Sequence, residues 1–500
     1  MARSLHLTKT KFLSGLRCDK KLWLDVHDPL PFGAPEPGSV IEVGTRVGRG
    51  AHNLFPGGVE VENPPWGHEE AIARTRELMA NPAMPAIFEA AFEYDGIRIR
   101  VDILERLDED SWGIREVKSS TSVKEAKLHL EDVTVQLYVL EGCGLHVPSA
   151  KLIHIDTSYV RGPDGIDWRR LLARSDVTGA ARALLSTVRP EVMRQHALLR
   201  RRSPPTVEPE KARCLTPYGC DRWGVCTADK PEDWVAYLYR SGPVQFARFQ
   251  DDGIEAISDI PDGYPLNANQ AIMRWATITG VPHVSPDLRK ALANYGPPAF
   301  YLDFETVAPA IPLYEGTSPY QQVPFQWSIH HVDRTGAVRH WEFLAEGAGD
   351  PRRALAEEML TVLEETDAPI LAYNAGFEKR VVSGLAAHLP ELAPRLTTLN
   401  ARMLDLLILT RGYTYFPGYQ YSFSLKTVAP ALVPEINYEN LAGVGGGQEA
   451  SALFARLVEG DLRDGEVEDR LRQGLLDYCR LDTLAIVKVH ERLLELASSA

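Results

Sequence analysis

The sequence predicts two mixed α/β domains joined by a helical connector, and three observations carry that expectation. The chain has 500 residues, well past the roughly 250–300 at which a single core stops growing. Strand-like stretches near 86–92 and 97–104 are followed by a helical pattern around Val133 to Leu140. From Ala299 an apolar strand, a helix near Arg352 to Leu363, a strand from Pro369 to Tyr373, another helix and a long final helix follow one another, which is the alternation of an α/β domain. Between these blocks, about 233 to 296 reads as short helices punctuated by Gly and Pro, as in Ser258-Asp-Ile-Pro-Asp-Gly. The expected domains are therefore 1–230, 231–297 and 298–500, with no internal repeat.

The composition is that of a globular protein, and no window approaches the roughly 18 uncharged apolar residues of a membrane span. The first residues alternate polar and apolar and lack the apolar core of a secretion signal, so a cytoplasmic protein is expected. The formal net charge of −14 argues against a passive coat for nucleic acid. It does not argue against a nuclease, whose metal-binding carboxylates add negative charge. A local basic groove of Arg98, Arg100, Lys118, Lys124 and Lys127 is compatible with an acidic whole.

In Ala299-Phe-Tyr-Leu-Asp-Phe-Glu, Asp303 and Glu305 stand two apart on a strand pattern, so both carboxylates point to one face. Two acids there repel one another unless a cation sits between them, which makes the pair half of a divalent-metal site. In Leu371-Ala-Tyr-Asn-Ala-Gly-Phe-Glu, a strand leads through a turn to Glu378 at the start of a helix. Near the end, Tyr478 and Asp482 are four apart and share one helix face. Each pattern alone is common on ordinary surfaces. Together they bring four acids and one phenol from three separate elements, the groups with which two Mg²⁺ or Mn²⁺ ions hydrolyse a phosphodiester.

In this order the residues resemble the DEDDy subgroup of DnaQ-like 3′–5′ exonucleases, which have the ribonuclease H fold. Asp303 and Glu305 match the first motif, Glu378 the second, and Tyr478 and Asp482 the third. The resemblance implies that the acids hold Mg²⁺ or Mn²⁺ and that Tyr478 orients the attacking water. Glu378 departs from it, because the family carries Asp there, and the longer arm shifts the geometry. Asp405, in Arg-Met-Leu-Asp-Leu, falls where such domains often have a further acid near the site.

The N-terminal block has a second constellation. Asp102 closes one strand pattern, and Glu116 and Lys118 lie on the next, about a hairpin away. This resembles the PD-(D/E)XK nucleases, in which two acids bind metal and the Lys polarises water or phosphate. Gln136 matches the next motif of that class. The Tyr expected four residues beyond is missing, since Tyr138 lies only two residues on and Leu140 takes the fourth place. His52, in Gly48-Arg-Gly-Ala-His, resembles the helical metal ligand of RecB-like members, a buried neutral His being the alternative.

Of six cysteines, Cys18 stands alone near the start, while Cys214, Cys220 and Cys226 are spaced by five residues each. Four thiols flanking a nuclease core resemble the iron–sulfur staple of Cas4-like and AddB-like nucleases, which implies a [4Fe–4S] cluster. Tetrahedral Zn²⁺ is the competing chemistry, because spacing does not choose the metal. Cys143 and Cys479 are expected to be ordinary buried thiols.

As a whole the chain resembles bacterial fusions of a RecB/Cas4-like nuclease with a DnaQ-like exonuclease, which implies the processing of DNA ends in repair or defence. Single-stranded DNA or DNA with free ends is the expected substrate, and RNA stays open because no motif reads a 2′-hydroxyl. The Tyr-rich segment from Arg411 to Tyr421 is read either as a platform for unpaired bases or as aromatic core. A chain with one active site, its N-terminal half gripping DNA, and a non-catalytic adaptor are the alternatives.

Overall fold

The computed structural model describes residues 6–31, 38–62, 67–121, 126–216, 218–347, 349–438, 444–462 and 467–499, with the side chains of 126 and 127 excluded. Lys124 and the Lys127 side chain of the expected basic groove lie outside the described residues. The chain is mixed α/β and divides into two compact units. One comprises 1–209, 219–226 and 309–320, and the other 210–218, 227–308 and 321–500. No helix among the described residues is long and apolar enough to cross a membrane.

The first unit is built on a seven-stranded sheet. Its strands are β1 (Leu7–Thr8), β2 (Val59–Glu60), β3 (Ala86–Tyr94), β4 (Ile97–Arg106), β5 (Ser111–Lys118), β6 (His146–Ile155) and β7 (Leu172–Asp176). They run β2-β3-β4-β5-β6-β7, with β1 parallel to β4. The meander β3-β4-β5 is antiparallel, and β6 returns parallel to β5 after the helix Ala126–Gly142, a connection that only a crossover allows. Ile97, Ile99 and Val101 of β4 enter one core with Val133, Leu137 and Leu140 of that helix and Val188 and Val192 of the helix Thr178–Leu199. A smaller cluster joins Ile103 and Ile153 to Val47 and Ala51 of the helix Val40–Ala51.

The second unit contains the short pair β8 (His283–Val284) and β14 (Thr414–Tyr415) and a five-stranded sheet. The sheet consists of β9 (Ala299–Val307), β10 (Val323–Val332), β11 (Val338–Leu344), β12 (Ile370–Ala372) and β13 (Met403–Asp405), in the order β11-β10-β9-β12-β13. β10 is antiparallel to β9 and β11, and β12 is parallel to β9 and β13. Alternation along β9 sends Phe300, Leu302 and Phe304 into a core with the helices Arg352–Leu363 and Gly376–His388. Tyr301, Asp303 and Glu305 have the opposite parity.

The helix Glu468–Ser499 covers that other face. Polar groups of β10 fix its position: Gln326 Nε2 donates to Leu475 O at 2.7 Å, and Ser328 Oγ and His330 Nδ1 lie 2.7 and 2.8 Å from Thr483 Oγ1. Buried polar groups that find partners specify one seating of the helix, since a shift along its axis leaves them unpaired.

Leu302 is fully buried under the helices behind β9. Leu302→Ala is expected to destabilise the second unit by about 2–5 kcal/mol. Hydrogen exchange read by mass spectrometry should show faster exchange in β9 and β10 and unchanged protection in β3 to β5.

Candidate metal centre

Among the described residues, one group of three or more His, Cys, Asp or Glu side chains has its ligand atoms all within 4.8 Å of one another: Asp303, Glu305 and Asp482. β9 supplies the first two at its two-residue period, and the terminal helix supplies the third. Glu305 and Asp482 are buried and Asp303 is half-buried. Burial and the charges of Asp482, Glu305 and Glu378 hold the Asp303 carboxyl well above its ordinary range. Glu305 is pushed up to about 8 by burial and by Asp482, against the pull of Lys426. Asp482 is raised by burial. Three carboxylates destabilised by dehydration and mutual repulsion form a site that a divalent cation fits, because such a cation relieves both terms.

Glu378 lies in the first turn of the helix Gly376–His388, 2% exposed, with its Oε2 buried and without a hydrogen-bond partner. Its carboxyl is pushed up to about 8 by burial and by Asp405. It raises the Asp303 and Glu305 carboxyls yet stays outside the group of three. Asp405 serves the backbone: one oxygen accepts from Leu407 N at 2.9 Å, capping the helix Leu406–Tyr413, and from Asn374 N at 3.0 Å. Asn374 has φ 74°, the left-handed region in which Asn is one of the few tolerated side chains, and this turn aims the following helix at the site.

Tyr478 is buried one turn before Asp482. Burial and the charges of Asp482, Glu305 and Asp303 raise its phenol far above the ordinary value, so it stays protonated. Three further residues around the centre carry no local sequence signal. Lys426 Nζ sits 4.7 Å from the Tyr478 ring and 5.6 Å from that of Tyr438, and donates to Gly445 O at 2.6 Å. Tyr438 feels the charges of Asp482 and Asp303. Cys479, a buried thiol as expected, lies with Sγ 3.8 Å from Asp303 Oδ2.

Within the Tyr-rich segment Tyr415 and Tyr419 are core, 2% and 0% exposed and packed edge-on against each other and Phe423, whereas Tyr413 and Tyr421 are half-buried. That packing closes the faces of Tyr415 and Tyr419 to bases.

The first unit gathers Asp102, Glu116, Lys118 and Gln136 and adds Lys9 and Asp132 to them. Lys118 Nζ lies 2.6 Å from both Glu116 and Asp132, and Lys9 Nζ lies 3.0 Å from both. Gln136 Nε2 donates to Glu116 Oε2 at 2.7 Å and to Asp132 Oδ1 at 3.0 Å. Burial opposes the Glu116 charge, but the two ammonium groups keep its carboxyl well below the ordinary range. Asp102 accepts from Val117 N at 2.8 Å and is pushed up to about 7 by burial and by Glu116. Glu89, at φ 55° on β3, falls between the Phe88–Ile103 and Ala90–Val101 pairs, and its carbonyl accepts from Arg100 Nη1 at 2.7 Å.

Tyr138 faces away, its hydroxyl donating to Asp95 at 2.8 Å. His52 stacks on Phe88 with centroids 3.8 Å apart, and burial lowers its pKa. Arg98 pairs with Glu93.

Cys18 lies between the helices Lys9–Arg17 and Asp19–His27. Lys21 Nζ bonds Asp221 at 2.8 Å, and Arg222 Nη2 bonds Asp25 at 3.1 Å, so the helix after Cys18 holds the segment that carries Cys220 and Cys226. Cys214 belongs to the second unit. All four are half-buried, and the Cys220 thiol is raised by burial against the pull of Lys21 and Arg17. Cys143, expected to be buried, is exposed, because the helix Ala126–Gly142 ends just before it.

A family model described as a domain of unknown function, DUF2779, matches residues 300–424. The match includes Asp303, Glu305 and Glu378 and ends before Lys426, Tyr478 and Asp482. No curated protein matches the chain. Among solved structures, an alkaline exonuclease (LHK-Exo) from Laribacter hongkongensis is 14% identical over 40% of this chain and 89% of its own, with a TM-score of 0.23. The protein SSO0001 is 15% identical over 41% of this chain and 80% of its own, with a TM-score of 0.19. Neither likeness transfers a chemistry to this chain.

The raised carboxyls set the pH dependence of the second unit. Protons occupy them at low pH, so binding a cation must release protons, and affinity rises with pH until Glu305, at about 8, is ionised. Without metal the sign for stability is the reverse: an acid raised on folding contributes stability below its unfolded pKa that is lost as pH climbs through the folded value. Calorimetric Mn²⁺ titrations should therefore show tighter binding at about pH 8 than at about pH 5.5, and the metal-induced rise in Tm should grow in the same direction.

Proposed function

We propose that the second unit is a metal-dependent phosphodiesterase that removes nucleotides from the 3′ ends of nucleic acid, with DNA as the first substrate to test. The observation that carries this reading is the crowding of Asp303, Glu305 and Asp482, whose ligand atoms all lie within 4.8 Å of one another. The convergence of β9 with a helix bearing Tyr478 and Asp482 supports it, as the DEDDy resemblance implies. A divalent cation held by the three acids supplies Lewis-acid stabilisation of phosphoryl charge and a more acidic water.

The chain's own groups have separable tasks. Tyr478 keeps its proton on Oη and can only donate or accept a hydrogen bond to water, so it orients rather than deprotonates. Lys426 steadies the Tyr478 ring through a cation–π contact and offsets part of the carboxylate charge. Glu378, with an unpaired buried oxygen, is the acid best placed to complete the ligand set.

In the same proposal the first unit grips nucleic acid rather than cutting it. The observation favouring this over a second nuclease centre is that Lys9 and Lys118 already neutralise Glu116 and Asp132. A [4Fe–4S] cluster belongs to the proposal too, with Cys18, Cys220 and Cys226 of the first unit among its ligands. Its support is the ion-paired latch between the helix following Cys18 and the segment of Cys220 and Cys226. Protein purified without oxygen should be brown with broad visible absorption, whereas colourless protein with stoichiometric zinc overturns the cluster.

The activity test is digestion of 5′-labelled single-stranded DNA with Mg²⁺ or Mn²⁺. Wild type should give a ladder shortening from the 3′ end, and Asp303→Ala should give the enzyme-free background. Tyr478→Phe should lower kcat on the order of 10²-fold with a smaller change in KM. Cutting that survives Asp303→Ala refutes the assignment. Uncut DNA beside degraded RNA moves the substrate class, and failure on both refutes the activity.

A further inference from the structure

We propose that the carboxylate cluster of the first unit is neutralised by the chain's own lysines, with Lys9 filling the position a divalent cation would take between Glu116 and Asp132. The inference concerns the first unit and does not depend on the activity proposed for the second.

The geometry is that of a bridging cation. Lys9 Nζ lies 3.0 Å from Glu116 Oε1 and 3.0 Å from Asp132 Oδ1, and Lys118 Nζ bridges the same two side chains at 2.6 Å. Gln136 donates to both acids, so their inward oxygens are satisfied within the chain. Glu116 and Asp132 are 1% and 4% exposed, and buried carboxylates in ion pairs of this kind depend on their partners' charge.

Charge counting says why a metal does not simply join them. With Asp102 ionised, as metal binding requires, Asp102, Glu116 and Asp132 bring three formal negative charges and the two ammonium groups bring two positive, leaving one net negative. Glu89 and Arg100 beside them offset each other. A divalent cation added to the intact cluster leaves a buried positive charge, whereas one that replaces Lys9 leaves none. Metal entry and departure of Lys9 are therefore the same event.

Lys9 is also the lysine that is able to leave. Lys118 belongs to β5 itself, but Lys9 arrives from 107 residues away on the helix Lys9–Arg17. Its backbone is fixed, because Thr8 Oγ1 accepts from Lys11 N and β1 pairs with β4. Only the flexible four-carbon stem must swing.

The test uses the full chain carrying Asp303→Asn and Asp482→Asn, so that the second unit contributes no metal site and an inactive second unit leaves the readout unchanged. Mn²⁺ binding is counted by electron paramagnetic resonance. With Lys9 intact, binding should be weak. Adding Lys9→Met should create a site that is tighter by at least about ten-fold, and adding Glu116→Gln should remove it again. If the Lys9-intact chain already holds Mn²⁺ at a site that Glu116→Gln abolishes, or if a folded Lys9→Met chain gains nothing, the proposal falls.

Should Lys9→Met fail to fold, the wild-type protein decides the matter through amine labelling read by mass spectrometry. Lys9 should stay unreactive across the Mn²⁺ range that saturates the Asp303 centre. Labelling of Lys9 that rises over that same range overturns the proposal.

Discussion

Like charges crowded into a dry interior set the terms for both units. Carboxylates at close range in a medium of low polarity repel strongly, and a fold that buries them must protonate them, pair them or leave room for a cation. The first unit pairs them, bringing ammonium groups from β5 and from the first helix. The second does not: Lys426 stands over the rings of Tyr478 and Tyr438 and donates to a backbone carbonyl, close enough to lower the Glu305 carboxyl but not bonded between the acids. The same problem is thus met by internal charge in one half and by an arrangement suited to an external ion in the other.

What the sequence disclosed depended on whether contacts are local. Asp303 and Glu305 share a strand face through the two-residue period, and Tyr478 and Asp482 share a helix face through the four-residue step, so both pairs were readable. The alternation of β9 was readable for the same reason. Lys9 was not, because its partners lie more than a hundred positions away and nothing around Thr8-Lys-Thr-Lys marks a site. Lys426 and Tyr438 were equally invisible, because no local motif joins either of them to the acids. Asp132 is different: it precedes Gln136 by one helical turn, and that spacing was available.

One misjudged feature has an equally physical explanation. Cys143 was expected to be a buried thiol, but the helix stops at Gly142 and leaves it at the surface. Asp405, expected as a further acid near the site, adds its charge beside Glu378 while its side chain accepts from two backbone amides. Composition reports neither the end of an element nor the prior claims on a carboxylate.

The helix Lys9–Arg17 has a mechanical consequence. It is short, capped at its start by Thr8, and followed at once by Cys18, whose next helix is clamped by Asp221 and Arg222. At 1.5 Å per residue, roughly 12–14 Å separates its two ends. A rod of that length does not bend, so Cys18 and the half-buried Lys9 sit at the two ends of a single rigid strut. Tilting one end displaces the other, so the thiol and the ammonium move together.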